Sequence, residues 1–128
     1  MLEINLVRHL KSEPQIKALI GDRISPEVRE DEEFPVIVYE KGRDEREMYL
    51  DGTYSDLREC SLLLKLFTTS FEQGKTLSAS IEKHLTLQHT EMGDIQVDLL
   101  RFEGDEVQSY PDEDLFEFQL FFTIFYSI

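Results

Sequence analysis

Three histidines, His9, His84 and His89, and a single cysteine, Cys60, are the residues of this 128-residue chain best suited to bind a metal or attack a substrate. No two histidines stand in an HxxxH pair, and none neighbours the cysteine. The nearest grouping, His84 and His89 with Glu91, has a spacing that matches no established ligand geometry. Cys60 cannot form an intrachain disulfide, and it falls in the apolar run Cys60, Leu62, Leu64, Leu66, where a buried, inert thiol is the ordinary expectation. Gly74-Lys75-Thr76 repeats only the tail of the phosphate-binding GxxxxGK[ST] loop, without its upstream glycine, and GxSxG does not occur. Carboxylates are so abundant that no single pair points to acid–base work. The sequence therefore predicts no catalytic, metal or cofactor site.

The charge balance narrows the classes further. Against 13 Lys and Arg stand 27 Asp and Glu, a net charge of −14. Such a surface repels nucleic-acid phosphates, and the aromatic residues near the C-terminus stand among acids and neutral polar residues rather than Lys and Arg. Specific DNA or RNA binding is not expected, and solubility is the plain use of the charge. No apolar stretch reaches the roughly 18 residues needed to cross a bilayer, and the N-terminus lacks the order of a secretory signal. The chain reads as soluble, made in the cytoplasm, without a membrane partner. At 128 residues and 41% hydrophobic, residues 1–128 make one domain with its own core.

The elements that must carry any function follow from periodicity. Ile4, Val7 and Leu10, then Ile16, Leu19 and Ile20, recur at helical intervals. Ser12-Glu13-Pro14 interrupts them, so the helix kinks or restarts there, with Ser12 as cap and Pro14 early in the new turn; Gly21 stops it. An exposed acidic connection, including Glu30 to Glu33, follows. Phe34 to Tyr39 reads as a strand, Lys41 to Glu45 as the charged tip of a hairpin, and Arg46 to Leu50 as its second strand, closed by Asp51-Gly52. Asp56 to Thr69 is apolar on both faces and reads as a central strand, with helix as the rival. Thr69-Ser70 starts a helix running through His84, in which Gly74 costs about 1 kcal/mol relative to alanine. Ile95 to Leu99 and Leu115 to Ile128 alternate as strands, and Gly104 to Asp114 reads as a loop long enough to reach a partner.

The expected fold is α+β, a mainly antiparallel sheet of four to five strands with two helices packed on one face. In the last strand Phe116, Phe118, Leu120, Phe122, Ile124 and Tyr126 share one face, while Phe121 and Phe125 share the other with Glu117, Gln119 and Thr123. That second face meets another subunit or adds core.

Two segments carry a resemblance. Ile16-Lys17-Ala18-Leu19-Ile20-Gly21-Asp22-Arg23-Ile24, followed by Pro26 and by Phe34-Pro35-Val36-Ile37-Val38-Tyr39, resembles the opening of the small tail-completion, or tail-terminator, proteins of siphophages and prophages. There a helix ends in an LxGDRI turn and leads through a loop into a proline-led strand. Tyr54-Ser55-Asp56 before a long apolar strand, a helix and an aromatic terminal strand also match the family layout. The acidic insert from Glu30 to Glu33 is heavier than the family pattern, and the last strand is richer in phenylalanine. The turn residues Gly21, Asp22 and Arg23 have a purely structural reading too, as a helix end whose arginine pairs with Asp22 or a neighbouring strand.

The resemblance implies a structural virion protein assembled in the host cytoplasm. It would form a hexameric ring at the head-proximal end of the tail tube, stopping tube growth and joining tail to head, with itself, the tail tube protein and the head–tail connector as partners. DNA would pass through the lumen, where acidic residues keep it from sticking. The segments expected to reach the lumen or tube are Arg43, Asp44, Glu45, Arg46 and Glu47, and, in the later loop, Glu106, Tyr110 and Asp112. Phe121, Phe125 and Glu117 are the expected subunit interface. The alternative from another class is an acidic module that mimics DNA and occupies a basic groove on a protein partner.

Overall fold

The computed structural model describes residues 2–27 and 33–128. Of the acidic run from Glu30 to Glu33, only Glu33 lies within them. Two short helices open the chain, α1 (Leu2–Lys11) and α2 (Pro14–Ile20). The break falls where expected, but Ser12 does not cap the second helix. Its hydroxyl donates to the His9 carbonyl at 2.6 Å and closes α1. Glu13 takes the cap position, and its carboxylate accepts from the Gln15 amide at 3.4 Å. Pro14 sits in the first turn, where a missing N–H leaves nothing unpaired. Gly21 ends α2 at φ 59, a conformation that other residues adopt only with strain.

Six strands form one sheet: β1 (Ile24–Pro26), β2 (Val36–Met48), β3 (Tyr54–Thr68), β4 (Leu87–Met92), β5 (Ile95–Tyr110) and β6 (Leu115–Ser127), in the order β1-β2-β3-β6-β5-β4. β1 pairs with β2 in parallel and every other pair is antiparallel. The expected α+β class stands, with six strands and three α-helices among the described residues in place of four or five and two. β1 and β4 are short edge strands whose polar composition carries no strand signal. The segment Asp56 to Thr69 is a strand, as expected, and lies inside the sheet between β2 and β6.

Two hairpins depart from expectation. Lys41 to Glu45 is not a tip, because β2 runs through it to Met48 and pairs with β3 as far as Tyr54. The turn lies at 49–53, where the Asp51 carboxylate accepts from the Thr53 amide at 2.9 Å and its hydroxyl at 2.7 Å. Gly52 supplies a φ of 90. Likewise, most of the stretch from Gly104 to Asp114 is not a loop. β5 continues to Tyr110, and only a tight turn, with a 3-10 segment at Pro111–Glu113, leads into β6.

The core lies on one face of the sheet. Leu62, Leu64 and Leu66 of β3 and Phe118, Leu120, Phe122 and Ile124 of β6 pack against Leu6, Leu10, Ile16, Ile20, Leu77 and Ile81 from the helices. The last two belong to α3 (Phe71–His84), which starts as predicted, with the Ser70 hydroxyl accepting from the Gln73 amide at 3.2 Å. Gly74 has a packing reason: a Cβ there would stand 2.1 Å from Cε2 of Phe118. The missing side chain lets α3 settle on the aromatic ring.

Candidate assembly surface

With the three described helices on one side, no described segment forms a layer over the centre of the other face of the sheet. The strand register puts Glu40, Leu63, Phe121 and Gly104 in one row across this outer face, and Glu45, Glu59, Phe125 and Leu99 in another. Leu63, Phe121, Phe125 and Leu99 are half-buried. Between the two rows lies an open groove of about 380 Å³ lined by Leu63, Phe121, Thr123, Ser61 and Gly42, with Glu27, Glu40 and Glu103 at its rim beside Lys41. Gly42 is required by close approach, since a Cβ there would meet the Ser61 hydroxyl at 2.1 Å. Nearer the β5–β6 turn, Lys65 bridges to Glu40 at 3.0 Å, and that contact holds its ammonium above the ordinary lysine range.

Of the three residues expected at a subunit interface, Phe121 and Phe125 sit on this outer face. Glu117 shares the face but is 6% exposed, because Gln119 and Tyr110 turn toward it. Its carboxylate accepts from the Gln119 amide and from the Tyr110 hydroxyl, the latter at 3.3 Å. Glu117 thus braces its own sheet through Gln119 and Tyr110.

The other candidate residues are distributed over two hairpins. Arg43, Glu45, Arg46 and Glu47 lie along the flank of the β2–β3 arm and are exposed, with Arg43 and Glu45 paired at 3.0 Å. Asp44 is the exception. A bulge between Lys41 and Asp44 resets the strand parity and turns Asp44 toward the helix side, opposite Cys60. There it accepts from the Tyr126 hydroxyl and lies 3.4 Å from Lys41. Burial, and then the Asp44 contact, raise the Tyr126 phenol above its usual range. Burial also pushes the neighbouring Cys60 thiol up to about 11. Asp44 thus ties the arm to the core.

On the β5–β6 hairpin Glu106, Tyr110 and Asp112 are all exposed. From residue 102 to the C-terminus there is no Lys or Arg, against seven carboxylates, Glu103, Asp105, Glu106, Asp112, Glu113, Asp114 and Glu117. The acidity is therefore concentrated at this end of the sheet, which the overall composition does not reveal.

The turn Gly21, Asp22 and Arg23 is a clamp. Asp22 pairs with Lys11 at 3.0 Å rather than with Arg23. The Arg23 guanidinium donates to the Leu19 carbonyl at 2.7 Å, capping α2, and to the Pro35 carbonyl at 3.0 Å, just before β2. A further contact reaches Glu33 at 3.6 Å. One side chain thus holds the helix end to the start of the long hairpin.

A pair that the sequence did not signal lies on the helix side. His9 and His84, the former in the last turn of α1 and the latter ending α3, stack with centroids 4.2 Å apart and planes 9° from parallel. The His84 ring donates to the His9 carbonyl at 2.6 Å, and the His9 ring lies 3.3 Å from the His84 carbonyl. Burial, then the neighbouring His84, hold His9 below the ordinary histidine range. Only their common position at helix C-termini hinted at the pairing. Among the described residues no three His, Cys, Asp or Glu side chains group as metal ligands. No described helix is long and apolar enough to cross a membrane.

Comparison with known proteins supplies the context for this surface. The family model of the tail completion protein gp17 matches residues 4–127. The chain belongs to the tail completion protein gp17 family. It is thereby a structural protein of the phage tail and virion, as the Gly21-Asp22-Arg23 turn and its following strand implied. Among solved structures it is similar in fold to a chain of the virion of a native gene transfer agent particle. The TM-score is 0.70 at 14% identity, over 96% of this chain and 92% of that one. No curated protein matches it by sequence.

Proposed function

We propose that this tail completion protein forms a hexameric ring at the head-proximal end of the tail tube, where it ends tube polymerisation and joins tail to head. Its partners are further copies of itself, the tail tube protein and the head–tail connector. The observation that carries the reading is the outer sheet face: on a family member whose place is in a tail, it leaves Phe121 lining one open groove and Phe125 another. A ring needs a heterologous contact, one patch binding a different patch on the next copy through a rotation that closes. The outer face serves as one of those patches.

The charge fits the same reading. Carboxylates at the β5–β6 end, Glu106 and Asp112 among them, repel phosphates, so DNA crossing a lumen lined by that hairpin would not adhere. The fold similarity to a chain of a virion particle is consistent with assembly into a larger body.

Negative-stain electron microscopy of the protein mixed with its tail tube protein tests the proposal. Rings and capped tube ends of uniform length are expected, and both should vanish with Phe121→Asp and Phe125→Asp together, while circular dichroism stays unchanged. Uncapped tubes of uncontrolled length in the presence of the unaltered protein would refute the proposal.

A further inference from the structure

The joint between the ends of α1 and α3 is built from two histidines that the ring reading does not use. A carbonyl oxygen only accepts, so each ring presents an N–H from its Nε2 to the other residue's carbonyl, His84 to His9 at 2.6 Å and His9 to His84 at 3.3 Å. With that proton on Nε2, the neutral rings leave both Nδ1 atoms bare. The rings lie face to face, 4.2 Å apart and 9° from parallel. The His9 carbonyl also accepts from the Ser12 hydroxyl at 2.6 Å and the Ser12 amide at 3.2 Å, so the end of α1 is gathered on the same oxygen. The residue after each histidine, Leu10 and Leu85, is fully buried in the core. The stack is therefore where polar contact between the two helix ends gives way to apolar packing.

This arrangement suits neutral rings and not two charged ones. Protonation of both at Nδ1 would set two positive charges on half-buried rings whose centroids are 4.2 Å apart. The charged groups around the joint match only one of them. From the start of α2, the Glu13 carboxylate lies 3.8 Å from Nδ1 of His84. On α1, Lys11 is turned to Asp22 at 3.0 Å and Arg8 is exposed; on α3, Glu82 and Lys83 are exposed. Among the described residues no carboxylate of the sheet forms an ion pair with either ring. Burial, and then the adjacent His84, hold His9 below the ordinary histidine range, so an opened joint binds the proton more tightly than the closed one.

We propose that the His9–His84 stack is an acid-sensitive latch: neutral rings tie the end of α1 to the end of α3, and protonation of both parts the two ends while the sheet stays folded. The opening is local, because the remainder of α1 and α2 has its own ties. Asn5 donates to Asp94 in the β4–β5 turn, and the Arg23 clamp holds the end of α2 to the start of β2. Proton binding and opening are linked, so each favours the other by the same factor. The latch works in a single copy of the chain and does not depend on a ring.

Amide hydrogen exchange followed by NMR between pH 7.5 and pH 5, above the range in which ordinary carboxylates titrate, tests the latch. The amides of Ser12, Glu13 and Leu85 close the two helix ends. Their protection factors, corrected for the intrinsic pH dependence of exchange, should fall about fivefold or more, while those of β3 and β6 hold. In the unaltered protein the ring resonances of His9 and His84 should move together through two steps, as those of a coupled pair do. His9→Gln keeps an N–H donor but takes no charge, and should abolish the fall. His89→Gln, outside the pair, should keep it, and Glu13→Gln, which removes the facing carboxylate, should bring the opening to higher pH. Protection at the two helix ends that stays level, or that falls equally in β3 and β6, would overturn the latch. So would rings that titrate independently in the unaltered protein, a result that requires no variant to fold.

Discussion

Replacing Gly74 by alanine should destabilise the protein, although alanine is the better helix former. In an exposed helix the exchange would gain about 1 kcal/mol. Here the new Cβ would stand 2.1, 2.6 and 2.7 Å from three carbons of the Phe118 ring. Those are distances that real Cβ atoms do not tolerate, so either the ring or α3 must move. Phe118 is 1% exposed and is held by Phe71 at a centroid distance of 5.5 Å, so the ring has nowhere to go. Overpacking of this kind costs about 1–3 kcal/mol, occasionally more. With the new Cβ 2.1 Å from the ring, the cost lies at the upper end of that range, about 3 kcal/mol, and the propensity gain of about 1 kcal/mol set against it leaves a net loss of about 2 kcal/mol. Urea denaturation followed by far-ultraviolet circular dichroism should show a lower midpoint with an unchanged slope, and the melting temperature should fall by roughly 3–6 °C per kcal/mol. Combining Gly74→Ala with Phe118→Leu should recover part of the loss, because the smaller side chain makes room. A Gly74→Ala protein as stable as the parent would refute the close approach of α3 to the sheet.

Three further outcomes follow from the same geometry. Arg23→Met keeps the aliphatic stem but removes the donors to Leu19 and Pro35, and should cost about 2–3 kcal/mol in urea denaturation, with Arg23→Lys unable to restore both contacts. His9 is held below the ordinary value of 6.5, so the unfolded chain binds its proton more tightly. The stability from its neutral form is complete above that value and is lost as pH falls below it; urea midpoints between pH 7.5 and 5.5 should therefore drop more in the parent than in His9→Gln, and parallel profiles would remove the idea. Tyr126→Phe takes from Asp44 a donor beside an oxygen that is already without a hydrogen bond, and should cost about 1–3 kcal/mol by the same denaturation assay.

Much of the fold was legible because apolar periodicity records burial. β6 alternates, since one face meets the helices, and α3 shows its stripe and its Ser70 cap for the same reason. Where a strand is exposed on both faces the pattern disappears. That is why the distal half of β2 looked like a charged tip, and the distal half of β5 like a loop. Their turn chemistry stayed readable, in Asp51-Gly52 and in Tyr110-Pro111, but not the length of ribbon leading to it. The same blindness covers the surface proposed for assembly. Phe121 and Phe125 were visible through alternation, whereas the groove beside Phe121 was not.

The sequence by itself determined the α+β class, the positions of the main helices and strands, the family and the acidity, since all of these are properties of local pattern. Only the tertiary structure decided that Asp44 turns inward to Tyr126, because one extra residue in a bulge reverses the side of every residue after it. Only it decided that Glu117 is buried and that Arg23 clamps two elements, since both depend on backbone carbonyls and side chains brought together from distant segments. The outer face, with its groove and its projecting arm, belongs to the same class of fact. Which apolar residues stay uncovered depends on where the helices pack, and all three pack on one side.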